Sequence, residues 1–394
     1  MRFVGIDIGA ERHTVAVVDA AGTIVVAPTA FEEDAAGYQV LHELLGAAAD
    51  TLIVLEATGH YWQNLFAVLT GAGFGVALLN PLRTHRFAGE DLARTKTDAI
   101  DALQLARFAA QKRPAVTRLP DAATRELREL VRLRDRWVGE LGDHVRQLHR
   151  LVDLGFPEFT RCVRQLDSAL ATTLLRAYPT AVAFRGVRRG RLAALCYDGR
   201  HTVGRRLAEA LLAAAAASVG QHHGAAYALQ VRALCEDIDV LRRRLRQLEG
   251  DIETLLTQHD VGTLLTTIDG IGTQTAARLV AELGDPAAFR DAGALAAYVG
   301  VVPALRHSGK HTPLRAGLTP IGHARLRRAL WMPTLVAVQR NPWLRAYYQR
   351  LRARGKLPKV ALIAAMRKLL IAVYYVAKHR RPFIPRVPAA TAST

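Results

Sequence analysis

RFVGIDIGAERHTVAVVDAAGTIVVAPT, residues 2–29, breaks into three β-rich runs at 2–9, 13–20 and 22–29. Val and Ile recur in each run and short turns separate them, the pattern of hairpin-linked strands. Outward from this stretch, a helical pattern covers about 35–47, a strand 51–57 (TLIVLEA) and a helix about 61–72. A strand at 75–80 (GVALLN), a polar loop at 81–95 and a helix at 97–110 follow. One residue in the first run is out of place. Asp7 stands mid-strand in VGIDIG, where burial of a carboxylate without a partner is costly.

The order βββαβαβα predicts a mixed sheet, three antiparallel strands first and then parallel additions through crossover helices. That is a ribonuclease-H-like α/β domain, expected over residues 1–110. This segment holds 7 basic and 13 acidic side chains, net −6. A negative domain that handles nucleic acid usually keeps its carboxylates for metal.

The next region, 111–258, is helical. Leu127, Val131, Val138, Leu141, Val145, Leu148 and Val152 keep a heptad spacing that breaks only at Arg134. A second run from Tyr227 through Val231, Leu234, Ile238, Leu241, Leu245, Leu248 and Ile252 to Leu255 steps four and three throughout. Such runs suit central coiled-coil helices, either an antiparallel hairpin or an intermolecular pair; plain helix packing inside one globule is the alternative. Between them, 155–222 is rich in Ala and Arg, with RGVRRGR at 185–191, and reads as a helical insertion. The remainder, 259–381, is expected to be a mostly helical domain. Its LLTTIDGIGTQTAARLVAELGD (264–285) resembles a helix-hairpin-helix, whose turn N–H groups hold phosphate without reading sequence, although an ordinary helix–turn–helix connection has the same look. The Pro/Ala/Thr-rich end, 382–394, is expected to be disordered.

Charge is distributed unevenly. The 394 residues carry a net +18, yet 301–394 alone holds 19 Lys and Arg and no Asp or Glu. Of the 53 basic residues 46 are Arg, whose planar fork grips phosphate at two points. A polyanion partner follows. Other classes drop out. Cys162, Cys196 and Cys235 are far apart, form no CxxC and are expected to be buried small hydrophobes, which excludes a disulfide framework or zinc site. The start, MRFVGIDIGA, lacks the apolar run of a signal peptide, and the apolar stretch 360–378 is split by Arg367 and Lys368. A cytoplasmic protein with no membrane partner and a core helix at 360–378 is expected.

Three groups of residues carry chemistry. Asp7 on the first strand, Glu56 at the end of TLIVLE, and Asp98 and Asp101, three apart at a helix start, would converge in this topology. Four carboxylates make an oxygen-rich pocket suited to Mg²⁺ or Mn²⁺, and two such ions would clamp the oxygens of a phosphodiester. In ALRHSGKHTPLRAG, Ser308 lies between His307 and Gly309, with Arg306, Lys310, His311 and Arg315 nearby. Alone, Ser-Gly in a basic loop is more often a phosphate-binding turn than a nucleophile. Arg325, Arg327 and Arg328 open a basic helical set, with Trp331, Trp343, Tyr347 and Tyr348 interleaved among later basic residues, which suits phosphate contact and base stacking.

FVGIDIGAERHTVAVVD, LEATGHYW, LNPLRTHRFA, RTKTDAIDA, the run from TTIDGIGTQ to LRHSGKHT and the following GHARLRRAL resemble the DEDD transposases of the insertion-sequence one-ten family, bridge-RNA-guided recombinases. The resemblance covers about 1–110 and 261–375; the 155–222 insertion stands outside it. It implies a RuvC-like domain whose four acids fall on Asp7, Glu56, Asp98 and Asp101, and a transposase domain whose catalytic serine falls on Ser308. It also implies Mg²⁺ assistance, a covalent 5′-phosphoserine link to DNA, and a structured guide RNA that pairs with donor and target DNA. Homodimers pairing into tetramers belong to the same expectation, with the heptad helices as the dimerising element. Two rivals remain at this point: a RuvC-like metal-dependent DNA or junction nuclease that uses water, and a non-catalytic nucleic-acid-binding protein.

Overall fold

Three strands joined by tight turns, β1 (Arg2–Ile8), β2 (Arg12–Val18) and β3 (Ile24–Glu32), pair antiparallel. β4 (Thr51–Glu56) and β5 (Gly75–Leu79) add parallel on the other side of β1, giving the sheet order β3-β2-β1-β4-β5. Parallel addition needs crossovers, and α1 (Ala35–Leu45) and α2 (Trp62–Gly71) supply them. This sheet belongs to the first of two compact units, Met1–Leu119 and Pro120–Thr394, in a computed structural model that describes residues 1–88, 97–302 and 321–385.

The expected loop at 81–95 begins instead as a helix, α3 (Pro81–Ala88). Pro81 takes its first position, where a missing N–H is harmless, and the Arg83 N–H donates to Asn80 O at 2.8 Å. Its polar composition hid it. α4 (Asp98–Lys112) is capped by Thr97, whose hydroxyl accepts from the Ile100 N–H at 3.3 Å.

Period-two alternation sorts the strands onto two faces. Phe3, Leu52, Val54, Ala77 and Leu79 pack with Ala102, Leu105 and Ala106 of α4. Val4, Ile6, Ile53 and Leu55 pack with Leu41 and Leu45 of α1 and Leu65 and Leu69 of α2. His13, 1 % exposed, has Nε2 2.5 Å from Glu33 Oε2, which also accepts from the Tyr38 hydroxyl at 2.6 Å.

In the second unit α5 (Ala122–Gly155) runs out to a lobe of five short helices, α6 (Phe159–Cys162), α7 (Ala169–Ala177), α8 (Ala181–Phe184), α9 (Arg189–Ala193) and α10 (Arg205–Ala216), and α11 (Ala225–Thr257) returns. The heptads therefore serve an antiparallel pair within one chain. Leu127 and Val131 share one core with Leu248, Ile252 and Leu256, while Leu148 and Val152 share another with Val231, Cys235 and Ile238. The break in the first heptad has a partner: Arg134 Nε and Nη2 lie 2.8 and 2.5 Å from Glu249 Oε1.

The first of these cores continues into α12 (Asp260–Leu265), α13 (Thr273–Leu283), α14 (Ala292–Val299), α15 (Ala324–Arg340), α16 (Pro342–Ala353) and α17 (Pro358–His379). Among the described residues α17 is the one helix long and apolar enough to cross a membrane, and 61 % of its most apolar window is buried inside the protein. The Gly-Ile-Gly turn packs against α15: Gly270 has φ +102°, and a Cβ there would lie 2.8 Å from Ala337 Cβ. One expectation is corrected here: Cys235 is buried and Cys162 half-buried, but Cys196 is exposed. Near the end of the described residues the Phe383 N–H donates to Thr267 Oγ1 at 2.9 Å and its ring meets Trp343; residues 386–394, most of the segment expected to be disordered, lie outside the described residues.

Candidate active site

The β1–β4 ladder runs in register from Arg2↔Thr51 to Ile6↔Leu55, so the next pair abreast is Asp7 and Glu56. Adjacent strands lie about 4.8 Å apart. Phe3, Gly5 and Asp7 alternate onto the face that α4 covers, as do Leu52, Val54 and Glu56. Gly5 lets α4 down onto the sheet: a Cβ at this position would lie 2.2 Å from both Ala102 O and Ala106 N. Farther back on β1, Arg113 beyond the end of α4 lies over the Phe3 ring. The helix thus runs antiparallel to β1, and its first turn, with Asp98 and Asp101, comes to the strand ends that carry Asp7 and Glu56. Helix polarity favours carboxylates in that turn.

Threonines hold Glu56. Its Oε2 accepts from Thr84 Oγ1 at 2.6 Å and its Oε1 from Thr58 Oγ1 at 3.0 Å. Sequence reasoning missed both residues; a threonine inside a polar stretch gives no signal of which strand end it faces. Asp7, Glu56 and Asp101 are half-buried and Asp98 is exposed. The donor set is all carboxylate, the chemistry that fits a hard divalent cation. Among the described residues no group of three or more His, Cys, Asp or Glu side chains is gathered closely enough to hold a metal. The backbone aligns the four acids at one end of the sheet; it does not close them into a cage.

Ser308, Arg306, Lys310 and Arg315, with His307 and His311, fall in 303–320, outside the described residues. A Cβ on Gly322 would lie 2.7 Å from Gly300 Cα, and the His323 N–H donates to Tyr298 O at 2.8 Å. The chain therefore returns beside its point of departure. Below this pinch Glu282, 5 % exposed, is held by Arg132 through Nε at 3.1 Å and Nη2 at 3.3 Å, with His323 Nε2 at 3.5 Å and Arg325 Nη1 at 3.8 Å. Burial pushes the Glu282 carboxyl up, but the Arg132 bonds and the charges of Arg132, His323 and Arg325 outweigh it and leave it below its ordinary value. Burial pushes His323 down, more than Glu282 raises it. His323 Nδ1 accepts from the Leu326 N–H at 3.2 Å as the cap of α15, so the neutral ring carries its proton on Nε2, facing Glu282.

The basic set on α15 divides by role. Arg325 and Arg328 are exposed, while Arg327 is half-buried and donates to Val299 O at 3.3 Å. The interleaved aromatics Trp331, Trp343, Tyr347 and Tyr348 are half-buried. Trp331, Trp343 and Tyr347 pack against the core, and Lys368 Nζ of α17 lies over the last two rings at 4.5 and 4.3 Å.

Residues 4–157 match a family model described as a transposase of the DEDD IS110 type, and 262–349 match the transposase IS116/IS110/IS902 family. A 43.6-kDa protein of insertion element IS110 from Streptomyces coelicolor is 27 % identical, over 98 % of this chain and 96 % of its own length. The pilin gene-inverting protein of Moraxella bovis is also 27 % identical, over 85 % of this chain and 82 % of its own. A 44.8-kDa protein of insertion element IS116 from Streptomyces clavuligerus is 27 % identical, covering 98 % and 97 % respectively.

Proposed function

The chain belongs to the IS116/IS110/IS902 transposases, enzymes that cut and rejoin DNA, and from that premise we propose that it exchanges strands through a covalent Ser308–DNA link assisted by Asp7, Glu56, Asp98 and Asp101. The observation that carries the reading is the alignment of Asp7 and Glu56 on adjacent strand ends beneath the first turn of α4.

Ser308 Oγ attacks a DNA phosphorus, forming the Ser–O–P bond as the P–O3′ bond breaks. The serine proton leaves to an acceptor, and the departing 3′ oxygen takes up a proton. A 3′-hydroxyl of the partner strand then attacks the phosphoserine, which restores Ser308 and conserves the number of phosphodiester bonds. Arg306, Lys310 and Arg315 supply cations around the phosphate oxygens, and Arg325 and Arg328 extend that surface. Asp7, Glu56, Asp98 and Asp101 would hold Mg²⁺ or Mn²⁺. When bound, the ion supplies positive charge against the non-bridging oxygens. Thr58 and Thr84 orient Glu56 for that role. The Moraxella relative is named for inverting a gene, and inversion requires cut ends to be rejoined to new partners, which supports exchange over hydrolysis.

The proposal includes a structured guide RNA that pairs with donor and target DNA, and assembly of dimers into tetramers. The resemblance supports both, and the acid-free 301–394 supports a polyanion partner. Two measurements test the whole. Ser308→Ala should lose the protein–DNA adduct and strand exchange together; continued cutting by this variant would show a hydrolytic nuclease. Nucleic acid purified with the chain should sequence as one discrete structured RNA, whereas random fragments would end the guided reading.

A further inference from the structure

The lobe at the far end of the α5–α11 pair is strongly basic. Residues 155–222 hold ten arginines against four carboxylates, net +6, which exceeds the net +5 of the whole 111–300 stretch. One of these arginines, Arg176, lines a cavity of about 290 Å³ where α7, the 196–202 turn and α11 meet, and α11 adds three more from outside that stretch. Arg176 and Thr173 come from α7, Tyr197 from the turn, and Arg242, Arg243 and Arg246 from α11. On α11, 242 and 246 are one turn apart and 243 lies three before 246, so the three share a helix face.

The two acids at the cavity are already engaged. Asp239 accepts from Thr172 Oγ1 at 2.8 Å and pairs with Arg176 at 3.3 Å and Arg242 at 3.7 Å. Asp198 accepts from the Arg200 and His201 N–H groups at 3.0 and 2.7 Å and meets His201 Nδ1 at 2.7 Å, closing its own turn. Arg243 and Arg246 are exposed and meet no carboxylate among the described residues. The cavity thus carries four cations, two acids turned to internal duty, and one aromatic ring. A water occupies roughly 30 Å³ of liquid, so the space exceeds what a lone phosphate needs and admits a nucleoside beside it.

We propose that this cavity binds one phosphate and the adjoining base of an unpaired nucleic-acid segment, the phosphate on Arg243 and Arg246 and the base on Tyr197. Unpaired strands suit it because a duplex keeps its base faces stacked inside, away from any protein ring. The site lies in the stretch that falls outside the family resemblance and between the two matched family segments. It rests on the proposed function only for the partner being a nucleic acid.

The test is fluorescence anisotropy of the full chain with short unpaired DNA and RNA oligonucleotides of one sequence, over a range of salt. Arg243→Ala with Arg246→Ala should weaken binding roughly tenfold and flatten the log–log salt slope by about 0.7, the value for the one phosphate that the two arginines neutralise together. Tyr197→Ala should weaken binding about fivefold or more, and Tyr197→Phe should restore it. An abasic oligonucleotide should not distinguish the Tyr197 variants. Arg188→Ala with Arg191→Ala, exposed in the same lobe outside the cavity, is the control for diffuse charge. Loss with RNA alone, DNA alone or both supports the site and names its source. Unchanged binding of both by the Arg243/Arg246 variant, or an equal loss in the control pair, overturns it. Ser308→Ala separates the two proposals: if it keeps cutting, the catalytic reading fails while the anisotropy result on the cavity stands.

Discussion

Gly5 and Ala102 meet through their backbones: a Cβ on Gly5 would lie 2.2 Å from the Ala102 carbonyl oxygen. The obstacle is helix backbone, which cannot rotate away, and a second one, Ala106 N, lies equally close. Gly5→Ala must therefore lift α4 from β1. The expected cost is at the upper end of overpacking, about 3 kcal/mol, read as a shift in the urea midpoint. Since α4 brings Asp98 and Asp101 to the strand ends, strand exchange should fall further than the unfolded fraction explains.

The four acids should separate from the fold in their effect. Asp7→Asn and Asp101→Asn are expected to reduce strand exchange by about 100-fold or more while leaving the melting temperature nearly unchanged. Chelation of divalent ions should do the same to the native chain and be reversed by adding Mg²⁺. Thr84→Val is the finer probe. Freed from its 2.6 Å bond, Glu56 should bind the ion less well, and the Mg²⁺ concentration for half-maximal exchange should rise roughly tenfold. An unchanged Mg²⁺ dependence would leave Thr84 as packing alone.

The sheet was legible because β1 to β5 are short runs rich in Val, Ile or Leu bounded by turn residues, and nothing in them competes with that signal. Asp7 was legible for the opposite reason, as the one charge in a hydrophobic run. α3 was not, since PLRTHRFA has too few apolar positions to show a period and its helix rests on Pro81 and its contacts with α4. Glu282 was illegible as well. In the sequence it is an ordinary helical acid, and its partners Arg132, His323 and Arg325 lie far from it along the chain. Phe383 looked like part of a loose tail because the groups that hold it, Thr267 and Trp343, belong to other elements.

Arg134 shows how a broken heptad can still be consistent. Its side chain is 20 % exposed and paired with Glu249, so the seam accepts a charge because a charge answers it. Glu249→Leu should cost about 1–3 kcal/mol by leaving the guanidinium unpaired. Arg134→Leu with Glu249→Leu should be at least as stable as the native chain, because the leucine at 134 continues the apolar seam and the pair's desolvation cost is gone. A double-mutant cycle on urea midpoints gives the coupling, and additive effects would contradict it.

Glu282 and His323 make the second unit sensitive to acid in two stages. The folded His323 titrates below its ordinary value of 6.5, so its share of stability is complete above that pH and lost as pH falls toward the folded value. The folded Glu282 titrates below 4.5, and its share is present above that pH and lost as pH falls through its own lower value. Stability of this unit should therefore decline from about pH 6.5 downward and more steeply below about pH 4.5. His323→Asn keeps a cap acceptor for α15 without a titrating ring, and should flatten the first decline while leaving the second. Glu282→Gln keeps the shape, removes the charge that Arg132 and Arg325 face, and should cost about 2–3 kcal/mol at neutral pH, moderated because Arg132 keeps contact with water. Urea midpoints across pH 3–8 for the three proteins read both stages. A first decline that survives in His323→Asn would assign it to another group.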